Sequence, residues 1–179
     1  MEEKLKKFIS DQIDALKLLY SKKLLMPFLM VFYATIDTLG YISDKNDEKE
    51  INKRFQAFVE KYMSAKLPGI DSVDVWGARC GILHKSSPTS NHSKKGKAKE
   101  FLYSWKLAEH DLTQKIIEQS EGRYKYIAFS LEDLYNSLLY GTNLFIKELK
   151  KDPKLYKICE GRVLNELYCE TPFVKTSKI

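Results

Sequence analysis

The chain has 179 residues, enough to close one hydrophobic core and short for two ordinary domains, so a single domain spanning residues 1–179 is expected. Apolar residues at 44%, charged residues at 30%, and 11 Tyr with 9 Phe exclude a disordered chain and describe a packed globule. The formal charge of +6 leans toward a polyanionic partner without requiring one.

Leu5, Phe8, Ile9, Ile13, Leu16 and Leu19 recur at helical spacing among Lys, Asp and Gln, which predicts a first helix over about residues 2–20. Its charged start lacks the apolar block and small-residue cleavage site of a secretion signal, so export is not expected. A second helix reads from Leu25 through Phe28, Leu29, Phe32, Ile36 and Leu39, with Pro27 in its first turn and an end near Gly40. The longest apolar stretch, Leu24 to Ile36, is interrupted by Pro27 and flanked by Lys22, Lys23 and Asp37, which leaves it short of a membrane span. Asp47 and Glu50 form a capping-box pattern ahead of a third helix carrying Ile51, Phe55, Phe58, Val59 and Tyr62, broken by Leu67-Pro68-Gly69.

A fourth helix opens behind an Asp71 or Ser72 cap, with Val73, Trp76, Cys80 and Leu83 at intervals of three, four and three residues. It carries Arg79, and His84 lies at its end. From Lys85 to Lys99 the chain is Ser, Lys, Asn, Gly and Pro, the composition of an exposed, mobile loop. Phe101–Trp105 and Tyr124–Phe129 are short aromatic runs that read as a small two-stranded ribbon. Ser130 caps a fifth helix through Leu134, Leu138, Phe145, Ile146 and Leu149. Asp152-Pro153 starts a sixth through Leu155, Ile158, Cys159, Val163 and Leu167, ended by Thr171-Pro172. The fold class is therefore mainly α, a bundle of about five or six helices with a small β-ribbon insertion.

Cys80, Cys159 and Cys169 contain no Cys-x-x-Cys pair, which argues against a disulfide framework or thiolate zinc site and fits a reducing cytoplasm. Cys80 and His84 have the i, i+4 spacing of two metal ligands, and His92 and His110 are the remaining imidazoles. No acidic or cysteine pair lies near enough in sequence to finish a site, so no metal and no other cofactor is expected. Phosphate-cradling glycine loops, nucleophile elbows and paired-carboxylate motifs do not occur.

What remains is Trp76-Gly-Ala-Arg79-Cys-Gly-Ile-Leu-His84, an arginine and a histidine separated by four residues at a helix end. This is the form of the R-x4-6-H motif, and the chain resembles the HEPN superfamily in it, in the segment Phe32–Gly40, and in the aromatic run Glu100–Trp105 after a basic loop. The likeness covers roughly residues 25 to 150. It implies a helical bundle, commonly a homodimer with motif helices facing across a cleft, and in many members a metal-independent endoribonuclease of toxin–antitoxin or antiphage systems, with a cognate antitoxin or defence protein as possible partner. Arg79, His84 and Asp37 become the candidate catalytic set on RNA. The chemistry suits these types, because imidazole titrates near neutrality and guanidinium forks onto two phosphate oxygens. One departure is Cys80, which stands after the arginine where active members often carry Asn, Asp or His.

Taken alone, His84 reads as a helix-end cation and Arg79 as a surface ion-pair partner. On a straight helix the two lie about 140° apart. Either two copies meet across a dimer, with Val75, Trp76 and Ile82 as the apolar interface, or the helix unwinds after Gly81 and swings His84 back. Lys85, Lys94, Lys95 and Lys97, with Lys99 beside them, are candidate RNA-binding residues, although a charge run is also the usual solvated face. Tyr103, Trp105, Tyr124 and Tyr126 have the chemistry to stack unpaired bases, or to pack in the core. The expected function is RNA cleavage to 2′,3′-cyclic phosphate and 5′-hydroxyl ends; the alternative is a non-catalytic module binding a nucleotide or partner protein.

Overall fold

Buried apolar spacing organises the helices of the computed structural model, which describes residues 3–105, 113–115, 117–118 and 126–167. The elements are α1 (Glu3–Ser21), α2 (Leu25–Ser43), α3 (Ile51–Phe58), α4 (Ser72–Lys85), α5 (Asn91–Lys94), β1 (Glu100–Ser104), β2 (Tyr126–Ser130), α6 (Leu131–Leu149) and α7 (Pro153–Arg162). The fold is mainly α with one small β insertion.

Helix α2 is the axis of the core. Phe28, Leu29, Phe32, Tyr33, Ile36, Leu39 and Ile42 are all buried, covering more than one face, and α1, α3, α4 and α7 pack around them. Full burial of such a side chain stabilises by about 1.5–3 kcal/mol. By length and composition α2 also meets the requirement for crossing a membrane; here half of its most apolar window is buried inside the protein. Pro27 sits in the first turn, where it removes no intrahelical bond.

Gly40 does not end α2, which continues to Ser43. A Cβ on Gly40 would lie 2.8 Å from the Arg54 carbonyl oxygen, so the glycine serves a close crossing of α2 and α3 rather than a cap. The Asp47–Glu50 capping box is likewise not formed. Asp47 has a φ of 52° and pairs with Lys49, while Glu50, at the N-cap position, makes no side-chain cap bond. Beyond Phe58 the helix widens into a π segment, Val59–Met63, and tightens into a 3-10 turn, Ser64–Lys66, before Leu67-Pro68-Gly69.

The other caps form as their residue types require. Asp71 accepts from the Asp74 amide at 2.8 Å, Ser130 from the Glu132 amide at 3.2 Å, and Asp152 from the Lys154 and Leu155 amides at 3.0 Å. A π segment, Val163–Leu167, follows α7; the expected stop at Thr171-Pro172 lies outside the described residues.

The two strands pair in parallel, Glu100 opposite Tyr126 through Ser104 opposite Ser130. Parallel strands require a crossover rather than a tight turn, and residues 105–125 separate them in sequence. The Tyr103 hydroxyl lies 2.7 Å from that of Tyr33 on α2, and Trp105 packs on Tyr20 of α1. Both therefore serve packing, while Tyr124 lies outside the described residues. The segment from Lys85 to Lys99 is not the structureless loop its composition suggests. It folds α5 behind a Ser90–Ser93 capping box and buries Ser90 and Ala98.

Candidate active site

Two glycines on α4 shape the ground on which the site stands. A Cβ on Gly77 would meet the Ala98 Cβ at 2.5 Å, and one on Gly81 would meet the Ser87 carbonyl oxygen at 2.4 Å. The α5 segment thus lies flat against α4, closer than any side chain on that face would permit. Helix α4 stops at Ser86, whose φ of 50° is left-handed. The amides of Ser86 and Ser87 close back onto the carbonyls of Ile82 and Gly81.

Arg79 projects from this helix toward α2, where Asp37 receives it. Its Nε and Nη2 both donate to Asp37 Oδ2, at 2.8 and 2.6 Å. Its Nη1 lies 3.1 Å from His84 Nε2, and its guanidinium sits 4.9 Å above the Trp76 ring. Since a guanidinium only donates, His84 Nε2 is the acceptor in this contact, the role that nitrogen has in the Nδ1–H tautomer. Helix α4 is unbroken throughout, so neither a second copy nor unwinding after Gly81 is needed for the pair to meet. The 140° measure describes where side chains leave the helix, and Arg79 is long enough to cross that angle when a carboxylate holds its far end.

The Arg79 and Asp37 side chains keep only 13% and 19% of their exposure. Burial raises the Asp37 carboxyl above its ordinary range, and the hydrogen bonds and charge of Arg79 offset only part of that rise. Its Oδ1 is buried without a hydrogen-bond partner. Cys80 is half-buried, and burial pushes its thiol up despite the neighbouring Arg79 charge.

A cleft of about 530 Å³ opens over these groups. Lys49, Ile51 and Asn52 line it from the start of α3; Trp76, Arg79, Cys80 and His84 line it from α4; His92 enters from α5. A groove of similar volume, about 540 Å³, runs between α1 and α6, but its lining holds neither imidazole nor guanidinium. Among the described residues no group of three or more His, Cys, Asp or Glu is placed to hold a metal ion.

The sequence-derived residues thus divide. Asp37, Arg79 and His84 are brought into one contact chain. Lys85, Lys94, Lys95 and Lys97 are exposed beside the α4–α5 junction, whereas Lys99 pairs with Asp74 at 3.6 Å. The expectation that Val75, Trp76 and Ile82 form a dimer surface needs correction: they are 2%, 9% and 1% exposed and fill the chain's own core, Trp76 edge-on against Phe55. An apolar period marks a buried face without saying what buries it. Sequence reasoning missed His92, Asn52 and Lys49 as cleft residues. Its available signals were Gly77 and Gly81 one turn apart and the Ser-x-x-Ser box that seats α5 upon them. No family model, curated protein or solved structure matches the chain.

Proposed function

We propose that the chain is a metal-independent endoribonuclease of HEPN type acting on single-stranded or loop RNA. The observation that carries this reading is the Asp37–Arg79–His84 contact chain, in which a partly buried carboxylate fixes a guanidinium that in turn contacts the exposed His84 imidazole in an open cleft. Asp37 is a positioning residue. Arg79 spends three of its five N–H groups on Asp37 and His84, leaving one on each terminal nitrogen for phosphate oxygens.

Cleavage begins when His84 Nε2, released from Arg79, takes the proton of the 2′-hydroxyl. The 2′-oxygen bonds to phosphorus, Arg79 balances the phosphorane charge, and the bond to the 5′-oxygen breaks with protonation of that oxygen. Lys85, Lys94, Lys95 and Lys97 collect flanking phosphates. The products are a 2′,3′-cyclic phosphate and a 5′-hydroxyl.

The test is incubation with mixed RNA in chelator, with end-group analysis of fragments. His84→Ala is expected to slow cleavage by about a hundredfold or more. Intact RNA with the parent protein, or cleavage indifferent to His84→Ala, refutes the reading.

One observation favours a second reading, a non-catalytic module that holds a nucleotide or partner protein on Arg79. Cys80, its thiol raised by burial, stands in the cleft where active members of the family often carry a polar side chain. Loss of ligand binding in Arg79→Ala, with no cleavage by the parent, distinguishes this module from the nuclease.

A further inference from the structure

Transphosphorylation needs two proton-transfer groups on one phosphate, and the contact chain above supplies only one. His84 is held as an acceptor by Arg79, which suits removal of the 2′-hydroxyl proton and leaves the 5′-oxygen without a donor. Cys80 is a poor substitute, because its thiol is pushed up by burial and half covered.

His92 meets the requirement. It lines the same cleft as Arg79 and His84, entering from α5 rather than from the motif helix. Its position is fixed by backbone: Ser90 accepts from the Ser93 amide at 3.1 Å, and Ser93 Oγ accepts from the Ser90 amide at 2.9 Å. The His92 Cβ lies 3.8 Å from where a Cβ on Gly77 would be, two residues before Arg79. His92 is half-exposed, and its imidazole makes no hydrogen bond or ion pair among the described residues. The cleft volume of about 530 Å³ falls within the roughly 300–1,000 Å³ typical of ligand sites.

We infer that His92 is the second acid–base group of this site, so that one protomer carries both imidazoles needed to cleave RNA; the inference rests on the nuclease reading above. In the step, His84 takes the 2′-hydroxyl proton as the bond from O2′ to phosphorus forms. The bond from phosphorus to O5′ breaks as protonated His92 gives its proton to O5′. One proton is gained by His84 and one lost by His92, so solvent exchange resets the pair and nothing else is consumed.

The assignment of acid and base is tested with two substrates of one sequence, a natural oligoribonucleotide and one whose scissile 5′-oxygen is replaced by sulfur. A thiolate leaves without being protonated, so loss of the acid is cured by the sulfur while loss of the base is not. His92→Ala is expected to cleave the natural linkage about a hundredfold or more slowly and the sulfur linkage within about tenfold of the parent, whereas His84→Ala is slow on both. A thermal melt equal to the parent's confirms that His92→Ala folds, as expected for a half-exposed side chain outside the Ser90–Ser93 cap. Full activity of His92→Ala on the natural linkage overturns the inference. Equal slowing on both linkages overturns it too, by reducing His92 to a structural role. A parent protein that cleaves neither substrate overturns the nuclease reading itself.

Discussion

Removing the carboxylate at Asp37 tests whether the site is held by charge or by packing. In Asp37→Ala, Nε and Nη2 of Arg79 lose a shared acceptor, and the guanidinium stays covered with only 13% of its side chain exposed. Breaking a buried ion pair on one side costs about 3–5 kcal/mol. Residual exposure here puts the cost at the low end. The Asp37 carboxyl is itself penalised by burial, which returns part of that, leaving about 2 kcal/mol. The double variant Asp37→Leu with Arg79→Met, which removes both charges, should be the more stable of the two. Urea unfolding of the parent, Asp37→Leu, Arg79→Met and the pair gives a coupling energy by double-mutant cycle. A single variant as stable as the parent, or a cycle with zero coupling, would refute the idea that Asp37 orients Arg79.

Three further outcomes are expected. Gly81→Ala, whose Cβ would meet the Ser87 carbonyl at 2.4 Å, should lower stability by about 1–3 kcal/mol, read as a fall in melting temperature. Replacing Lys85, Lys94, Lys95 and Lys97 by Gln should weaken single-stranded RNA binding and reduce the slope of log K against log salt by about 0.7 for each phosphate no longer neutralised, measured by fluorescence anisotropy; an unchanged slope places RNA elsewhere. Burial alone would raise the Glu148 carboxyl, but hydrogen bonds from Lys61, Tyr62 and Lys45 outweigh it and hold it below its ordinary value. A depressed folded value means stability present above the unfolded value of 4.5 and lost as pH falls through the folded one, so Glu148→Gln should flatten the acid limb of a stability–pH curve.

Helix starts were legible where a side-chain oxygen has an orphan amide to satisfy, as at Asp71, Ser130 and Asp152. Gly40 and Asp47 were misread because local pattern cannot see a neighbouring helix: the first accommodates the Arg54 backbone, and the second turns through a left-handed conformation. Asp37, Arg79 and His84 were legible as residues, from the motif and its earlier acid, but their meeting within one chain was not. That meeting depends on the reach of Arg79 and on Asp37 pulling it across the helix, neither of which is a property of spacing. His92 was hidden for another reason. It sits in a stretch without apolar periodicity, held by serine hydroxyls and by the absence of side chains at Gly77 and Gly81.

Those two glycines also bear on how the site opens. Each weakens an isolated helix by about 1 kcal/mol relative to alanine, so the second half of α4 is a poor helix by itself and relies on the α5 segment pressed against it. Conversely, α5 is a single capped turn with little hold except on α4. The two therefore form one cooperative opening unit, and lifting α5 frays the last turn of α4 together with His84. Amide hydrogens from Gly81 to Lys85 and from Asn91 to Lys95 should then exchange with a common opening free energy, below that of α2, and both imidazoles of the cleft would leave and return as one body.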